Sequence, residues 1–304
     1  MIEASILILT KNEAANIASC LSAVYSQKFP GQVEVIVVDS GSTDATVEIA
    51  RRFSPHLERI SPDAFHHART RNFIASIAQG RFLVYLAADA VPTSQYWLKD
   101  LIDNFEDPSV GAVYGRHLPK PGSSLERQDA LNAVYDSERI VKDQSSRVKL
   151  GYRYYHMSTV NAAIRRNVWQ SNRFPEELKV FEDLGIAKRI LDAGWKIVYE
   201  PRASVYHSHN HSTLVLFKRY FDIGVTFRRL GIWNDGTKSS MIRGMLTLLR
   251  KKIKRLARKS DTGQVVRASI GQDIAKSAGL FLGLNERFLP IALKRRLSAF
   301  GVFE

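Results

Sequence analysis

The sequence predicts an α/β fold: a Rossmann-like, mostly parallel sheet flanked by helices, followed by a basic helical C-terminal region. Three observations carry that prediction. Residues 4–9, 33–38 and 82–86 are short apolar runs, the pattern of parallel strands buried on both faces. Between them lie segments whose apolar residues recur at helical spacing, joined by short polar loops. The 304 residues are 45% apolar and 24% charged, enough for a packed core and incompatible with a disordered or collagen-like chain.

The elements follow in order. After the first strand come Thr10, Lys11, Asn12 and Glu13, a polar loop with Asn12 as helix cap, and then a helix carrying Ile17, Leu21 and Val24. The lone cysteine, Cys20, cannot form an internal disulfide and sits among these residues, so it reads as a core thiol in a reducing compartment. The second strand ends at Asp39; Gly41 allows a tight turn, and Ser42 or Thr43 caps a helix reaching Phe53. A third strand at 57–60, a helix at 67–79 closed by Gly80 and the strand at 82–86 complete the first half. In such a sheet ligands bind beyond the carboxyl ends of the strands. Thr10, Lys11 and Glu13, then Asp39, then Ala87, Ala88 and Asp89 are therefore expected to open onto one crevice.

The second half is less regular. It predicts strands at 110–114, 160–164 and 196–199 and helices at 125–141 and 213–230. A further helix follows Glu182 and Asp183, carries Leu184, Ala187, Ile190 and Leu191, and ends at Gly194. Residues 235–240 have linker composition and mark the start of a C-terminal helical appendage. No apolar run reaches the roughly 18 residues of a membrane span, and the first residues lack the pattern of a cleaved signal.

Charge is concentrated at one end. Residues 1–211 hold 25 basic and 24 acidic residues, whereas residues 212–304 hold 19 and 6, so the last third carries +13 of the net +14. The densest run is Arg250 to Lys259, with Met241, Leu246, Leu249, Ile253 and Leu256 forming an apolar stripe. Such a helix either lies in an anionic headgroup layer or packs its stripe on the preceding domain. Nucleic acid is not expected as a partner, because the basic residues have little aromatic interleaving and the first two-thirds is charge-neutral.

Absent motifs narrow the chemistry. There is no G-x-G-x-x-G after the first strand, no phosphate-binding G-x-x-x-x-G-K-[ST] and no G-x-S-x-G nucleophile turn. What remains is a crevice lined by carboxylates. Asp39 suits a nucleoside, or it is a turn aspartate bonding its own backbone. Asp89 suits a hard divalent cation bridging two phosphates, or it is a turn residue. Asp183, beside Glu182, is a general base or a helix cap. Arg69 and Arg71 stand near a helix start where a phosphate could sit. His207, His209 and His211 alternate as on a strand; without cysteines they do not predict structural zinc, and one of them could join Asp89 around a cation. Of His66 and His67, one could touch sugar or phosphate.

These pieces resemble a known family. Residues Ser5 to Glu13, then Val37 to Thr46, resemble the N-terminal half of glycosyltransferase family 2, which has the GT-A fold; Asp89 stands where the D-x-D motif of that family ends, and Glu182-Asp183 is similar to its E-D motif. Within the family the pattern resembles bacterial rhamnosyltransferases. Phe65-His66-His67-Ala68-Arg69-Thr70-Arg71-Asn72 is similar to their F-x-H-G-x-T-R-N loop, and Ala88-Asp89-Ala90-Val91-Pro92 to their Q-D-A-V-P. His207-Ser208-His209-Asn210, with Tyr220 to Gly224, resembles their tail signature.

The resemblance implies roles. Thr10, Lys11, Glu13, Asp39, Arg71, Ala88 and Asp89 would bind the nucleotide-sugar; Asp89 and His207 would hold a divalent cation, Mg2+ or Mn2+; His67, Glu182 and Asn161 would belong to the acceptor or sugar pocket; and Asp183 would be the catalytic base. Ala87 replaces the first aspartate of D-x-D, which implies a cation held weakly or dispensed with. The implied activity is inverting transfer of L-rhamnose from dTDP-rhamnose onto a membrane-linked glycan in bacterial O-antigen or capsule synthesis, by an enzyme at the inner face of the cytoplasmic membrane. Alternatives are a family 2 transferase using another UDP- or GDP-sugar, or a non-catalytic nucleotide-sugar- or nucleic-acid-binding protein. The implied division is a catalytic domain at 1–234, with a nucleotide-sugar half at 1–115 and an acceptor half at 116–234, and a basic helical region at 235–304.

Overall fold

Strand β1 (Ala4–Thr10) is buried along almost its whole length and lies between two parallel neighbours. These are β2 (Val33–Asp39) and β4 (Phe82–Ala87), and β3 (His56–Arg59) continues the parallel order on the outer side of β2. The computed structural model describes residues 2–123, 128, 131, 132, 134–209, 211–232 and 263–303. Beyond β4 the direction changes: β8 (Asn161–Arg165) is inserted antiparallel between β4 and β6 (Val110–Leu118). Strand β9 (Lys196–Tyr206) pairs in parallel with β6, while β5 (Val91–Pro92) and β7 (Ile140–Lys142) pair antiparallel with β9. The sheet order is β3-β2-β1-β4-β8-β6-β9-β5, with β7 on β9.

Alternation along the strands divides the core into two layers. Ile6, Ile8, Val37 and Val84 pack on α1 (Ile17–Tyr25) through Ile17, Leu21 and Val24, and on α4 (Trp97–Ile102) through Trp97 and Leu101. Leu7, Ile36, Val38 and Tyr85 face the other way. They pack on α3 (His67–Ile77) through Ala68 and Ile74, and on α6 (Glu182–Asp192) through Ile186 and Ile190. Short helices α2 (Thr46–Arg51) and α5 (Arg166–Ser171) follow β2 and β8.

The expected strands and the helices at 67–79 and 213–230 are present, with four differences. Asn12 does not cap a helix: it takes a positive φ of 54°, and α1 starts only at Ile17. Ser42 and Thr43 do not cap α2: Ala45 holds the cap position without a side-chain cap, and Asp44 before it accepts from the Thr46 amide at 3.0 Å. The helix expected to reach residue 141 stops earlier, since Ile140–Lys142 is strand β7. Strands β6 and β9 run on to Leu118 and Tyr206, past the apolar runs that announced them. The linker at 235–240 and the basic run at 250–259 lie outside the described residues.

After β9 comes α7 (Thr213–Arg229), against which α8 (Gly263–Leu284) packs. Glycine makes this contact possible. A Cβ on Gly279 would stand 2.2 Å from the Phe217 carbonyl oxygen, and one on Gly283 would stand 2.0 Å from that of Phe221. Residues 298–303, after α9 (Ile291–Leu297), return to α7 and to the residues just before α6. The Ala299 and Phe300 amides donate to the buried carboxylate of Asp222 on α7, Lys179 donates to the Gly301 carbonyl at 2.8 Å, and Phe300 meets Phe181 edge-on. Phe181, immediately before α6, has a φ of 59°, a conformation costly for a side chain of that size.

Candidate active site

A cleft of about 170 Å³ opens at the carboxyl ends of the strands. Thr10 and Lys11 line it from β1, Ser40 from β2 and Ala87 from β4, so the topology brings together the three loops that the strand order implied. His67 and Arg71 enter from the first turns of α3, and Thr159 from the residues before β8. The lining contains polar atoms that are buried with no hydrogen-bond partner among the described residues: Thr10 Oγ1, Arg71 Nε and Tyr85 Oη. An orphaned buried polar group costs about 1–3 kcal/mol, so three at one cleft mark a surface made for a polar ligand. Glu13, Asp39, Ala88 and Asp89 lie on the same loops but not in the lining of this cleft.

Asp39 is fully buried and accepts from the Gly41 and Ser42 amides at 3.1 Å and from the Ser42 hydroxyl, with Arg59 Nε at 3.6 Å. Its carboxylate shapes the turn after β2. Asn12 ties that turn to the loop after β1, donating its amide to Ser42 Oγ and accepting from the Thr43 amide, both at 2.8 Å. Glu13 donates its amide to Thr46 Oγ1 at 2.7 Å, and its carboxylate accepts from Asn16 at 2.6 Å.

The first turn of α6 supplies the acids. Glu182 is buried and forms an ion pair with Arg71 Nη1 at 2.5 Å, which ties this cleft-lining guanidinium to α6. Arg71 also reaches the ring and carbonyl of His67 at 3.4 Å. Burial holds the His67 pKa below its usual value. Asp183 accepts from the Leu184 amide at 2.8 Å and from the amide of Thr159, a cleft-lining residue. Asp183 keeps some accessible surface; like Glu182 it is not in the lining of this cleft, to which Thr159 and Arg71 connect the two acids. Burial, and then the neighbouring Glu182 charge, raise its pKa from 3.8 to about 7, against the opposing pull of Arg71.

A second cluster forms where β4, β6 and β9 end. His207 donates its amide to the Leu118 carbonyl at 2.9 Å, and its imidazole lies 3.5 Å from the Asp89 carboxylate. His209 Nε2 is 3.2 Å from the other Asp89 oxygen and 3.0 Å from His207 Nε2, with Lys120 Nζ 3.9 Å from Asp89. His117 stands edge-on to His207 and stacks on Tyr135. One ligand atom from each of Asp89, His207 and His209 lies within 4.8 Å of the others, and two imidazoles with a carboxylate suit a divalent cation such as Mn2+. The family resemblance assigns only His207 to the cation. His209 joins it because the strand ends at Tyr206, and the two rings converge on Asp89 in the loop beyond. Cys20 is the buried core thiol expected, its pKa pushed up to about 12 by burial and by Asp89 and Glu13.

One expected site residue is displaced. Asn161 is fully buried in the sheet, accepting from Trp97 Nε1 at 2.9 Å and donating to the Ala203 carbonyl at 2.8 Å. Its side-chain amide is consumed in joining α4 to β9, and it does not line the sugar or acceptor pocket.

The sequence profile of Glycosyl transferase family 2 matches residues 5–171. The chain belongs to glycosyltransferase family 2. Its relatives include the O-antigen chain rhamnosyltransferase WbaN of Salmonella anatum, 38% identical over 194 residues, which are 63% of this chain and 62% of that protein. Another is the O-antigen chain rhamnosyltransferase RfbN of Salmonella typhimurium, 35% identical over 73% of this chain and 71% of that one. The chain thus spans somewhat less than two-thirds of the first relative and somewhat more of the second. The fold of this family 2 chain is like that of the mannosyltransferase PcManGT of Pyrobaculum calidifontis, solved with GDP-Man and Mn2+, with a TM-score of 0.62 at 18% identity over 92% of this chain and 87% of that one. It is also like residues 1–349 of S. aureus TarS in complex with UDP-GlcNAc, with a TM-score of 0.59 at 17% identity over 97% and 86%. The fold is GT-A.

Proposed function

We propose that this family 2 enzyme is an inverting rhamnosyltransferase that moves L-rhamnose from dTDP-rhamnose onto a membrane-linked glycan in bacterial surface polysaccharide synthesis, O-antigen or capsule. The names of WbaN and RfbN support the donor sugar and the pathway class. The observation that carries the chemistry is Asp183, a carboxylate with a pKa raised to about 7, one residue from the acid that holds Arg71 at the cleft.

In this reading each residue has a role. The acceptor hydroxyl gives its proton to Asp183 as its oxygen bonds to the anomeric carbon. The bond from that carbon to the diphosphate oxygen breaks on the opposite face, and its electron pair leaves with the diphosphate. Near-neutral basicity suits this work, since a base with an ordinary carboxylate pKa would accept the proton less readily. Arg71, fixed by Glu182, presents positive charge to the departing diphosphate, and Thr10 and Lys11 line the same cleft for the nucleotide. Asp39, Glu13 and Ala88 complete the nucleotide side, and His67 the sugar side. Asp89 and His207, with His209 added, would hold Mg2+ or Mn2+, whose chemistry is to neutralise charge on the diphosphate. That donor set contains a single carboxylate, with Ala87 in place of a second, consistent with weak binding.

Residues 1–115 form the nucleotide-sugar half of this reading, residues 116–234 the acceptor half, and residues 235–304 a basic region that meets an anionic membrane surface from the cytoplasmic side. A panel of donors assayed by thermal stabilisation tests the donor, because a ligand that binds only the folded state raises the midpoint by mass action. dTDP-rhamnose is expected to shift the midpoint and UDP-glucose to leave it in place; the reverse order would remove rhamnose from the proposal.

A further inference from the structure

The outward face of α8 is apolar where a helix on a domain surface is ordinarily polar. Gly271, Ile274, Ala278 and Phe281 follow at intervals of three and four residues and are all exposed, Ile274 by 63% and Phe281 by 66%. The opposite face, with Leu280 and Leu284, is buried, and Gly279 and Gly283 close against α7. The residues that follow add Phe288, 70% exposed, and Ile291. Gly279 meets Phe217 and Gly283 meets Phe221, so both helices run in the same direction. That register sets the Ile274 turn level with the turn of Leu214 and Val215, both exposed, just after the His207–His209 loop.

Charge indicates what covers such a face. Arg287, Arg295 and Arg296 are exposed and form no ion pair with a carboxylate among the described residues; Arg287 lies 4.6 Å over the Phe288 ring and Arg295 donates to the Phe303 carbonyl at 3.4 Å. The acids of the same stretch are engaged, Asp273 with Lys276 and Glu286 with Arg228 and Lys294. A second copy of this chain on the same face would set guanidinium against guanidinium, whereas an anionic lipid layer offers acyl chains to the phenyl rings and phosphates to the arginines. Among the described residues no helix is long and apolar enough to cross a membrane, so the contact lies along the surface.

We propose that the outer face of α8, together with Phe288 and the arginines around it, docks on an anionic membrane surface. This rests on the membrane part of the proposed function and assigns it to a named face, distinct from the basic run at 250–259. The test is flotation of the full chain with vesicles containing phosphatidylglycerol, compared with phosphatidylcholine alone, together with sedimentation to read the oligomeric state. The wild type is expected to float with anionic vesicles. The double variant Phe281→Glu, Phe288→Glu should partition roughly tenfold less or worse, as the loss of two buried phenyl groups implies. Arg295→Glu with Arg296→Glu should also weaken binding, and Val148→Glu, exposed elsewhere, should leave it unchanged. If the wild type does not float, the membrane reading fails as a whole. If the phenylalanine variant floats as the wild type does, this assignment alone is refuted, and it is equally refuted if the wild type is a dimer that the variant dissolves.

Discussion

Replacing Asp183 with asparagine keeps the side-chain size and removes the proton acceptor. A positioned general base contributes roughly 10²–10⁴-fold to a rate. Glu182 is committed to Arg71 and cannot take over, so the loss should lie toward the upper part of that range. The raised pKa adds a pH signature. Wild-type kcat/KM should climb about tenfold per pH unit below pH 7 and level off above it, as the base ionises, and the variant should lack that limb. Stability separates this from unfolding. With a folded pKa of about 7 against 3.8 unfolded, the folded state is penalised as pH rises from about 4 to 7, by an amount on the order of a few kcal/mol that is constant above. The neutral amide of Asp183→Asn escapes the penalty and keeps an oxygen that can accept from the Leu184 amide. The variant should therefore be no less stable than wild type at pH 8. The assay is nucleoside diphosphate release from dTDP-rhamnose with membrane acceptor present, alongside donor binding by thermal shift. Turnover above roughly a tenth of wild type, with donor binding intact, would refute the role of Asp183 as base.

Other expectations follow from the same geometry. His209→Ala should weaken Mn2+ binding by about tenfold or more, read by calorimetric titration; an unchanged affinity would exclude this side chain from the cation site. Asn161→Ala should cost about 2–4 kcal/mol in urea denaturation, by stranding Trp97 Nε1 and the Ala203 carbonyl, while donor affinity stays at the wild-type value. Gly283→Ala should destabilise by about 1–3 kcal/mol or more, because the new methyl meets the Phe221 carbonyl, whereas Gly271→Ala, with open space around it, should stabilise by up to about 1 kcal/mol. Equal midpoints for the two glycine variants would contradict the close packing of α7 on α8.

The first half of the fold was legible because its strands are fully apolar and its helices strictly amphipathic: residues 4–9 could hardly be anything but an interior strand, and the carboxyl-end rule then pointed to Thr10 and Lys11. The second half was less so. Strand β8 enters the sheet antiparallel between two strands distant in sequence, and no local pattern states that. The family resemblance assigns Asn161 to the pocket, but its partners Trp97 and Ala203 become neighbours only when α4 and β9 pack on it. Asp183 was legible as an acid at a helix start. Its raised pKa was not, since that depends on burial and on the Glu182–Arg71 pair, a contact that closes only in three dimensions. The H-S-H spacing at 207–209 held the signal for the second imidazole, had it been read as a loop instead of a strand.

The costly backbone turn at Phe181 has a remote guarantor. Residues 298–303 hold Phe181 through Phe300, and are themselves moored to Asp222 and Lys179, so the pitch of the first turn of α6 is underwritten by a stretch that never meets substrate. A lesion at Ser298 or Phe300 would thus surface as slow chemistry through Asp183 and as loosened donor binding through the Glu182–Arg71 pair, a defect whose origin lies outside the cleft altogether.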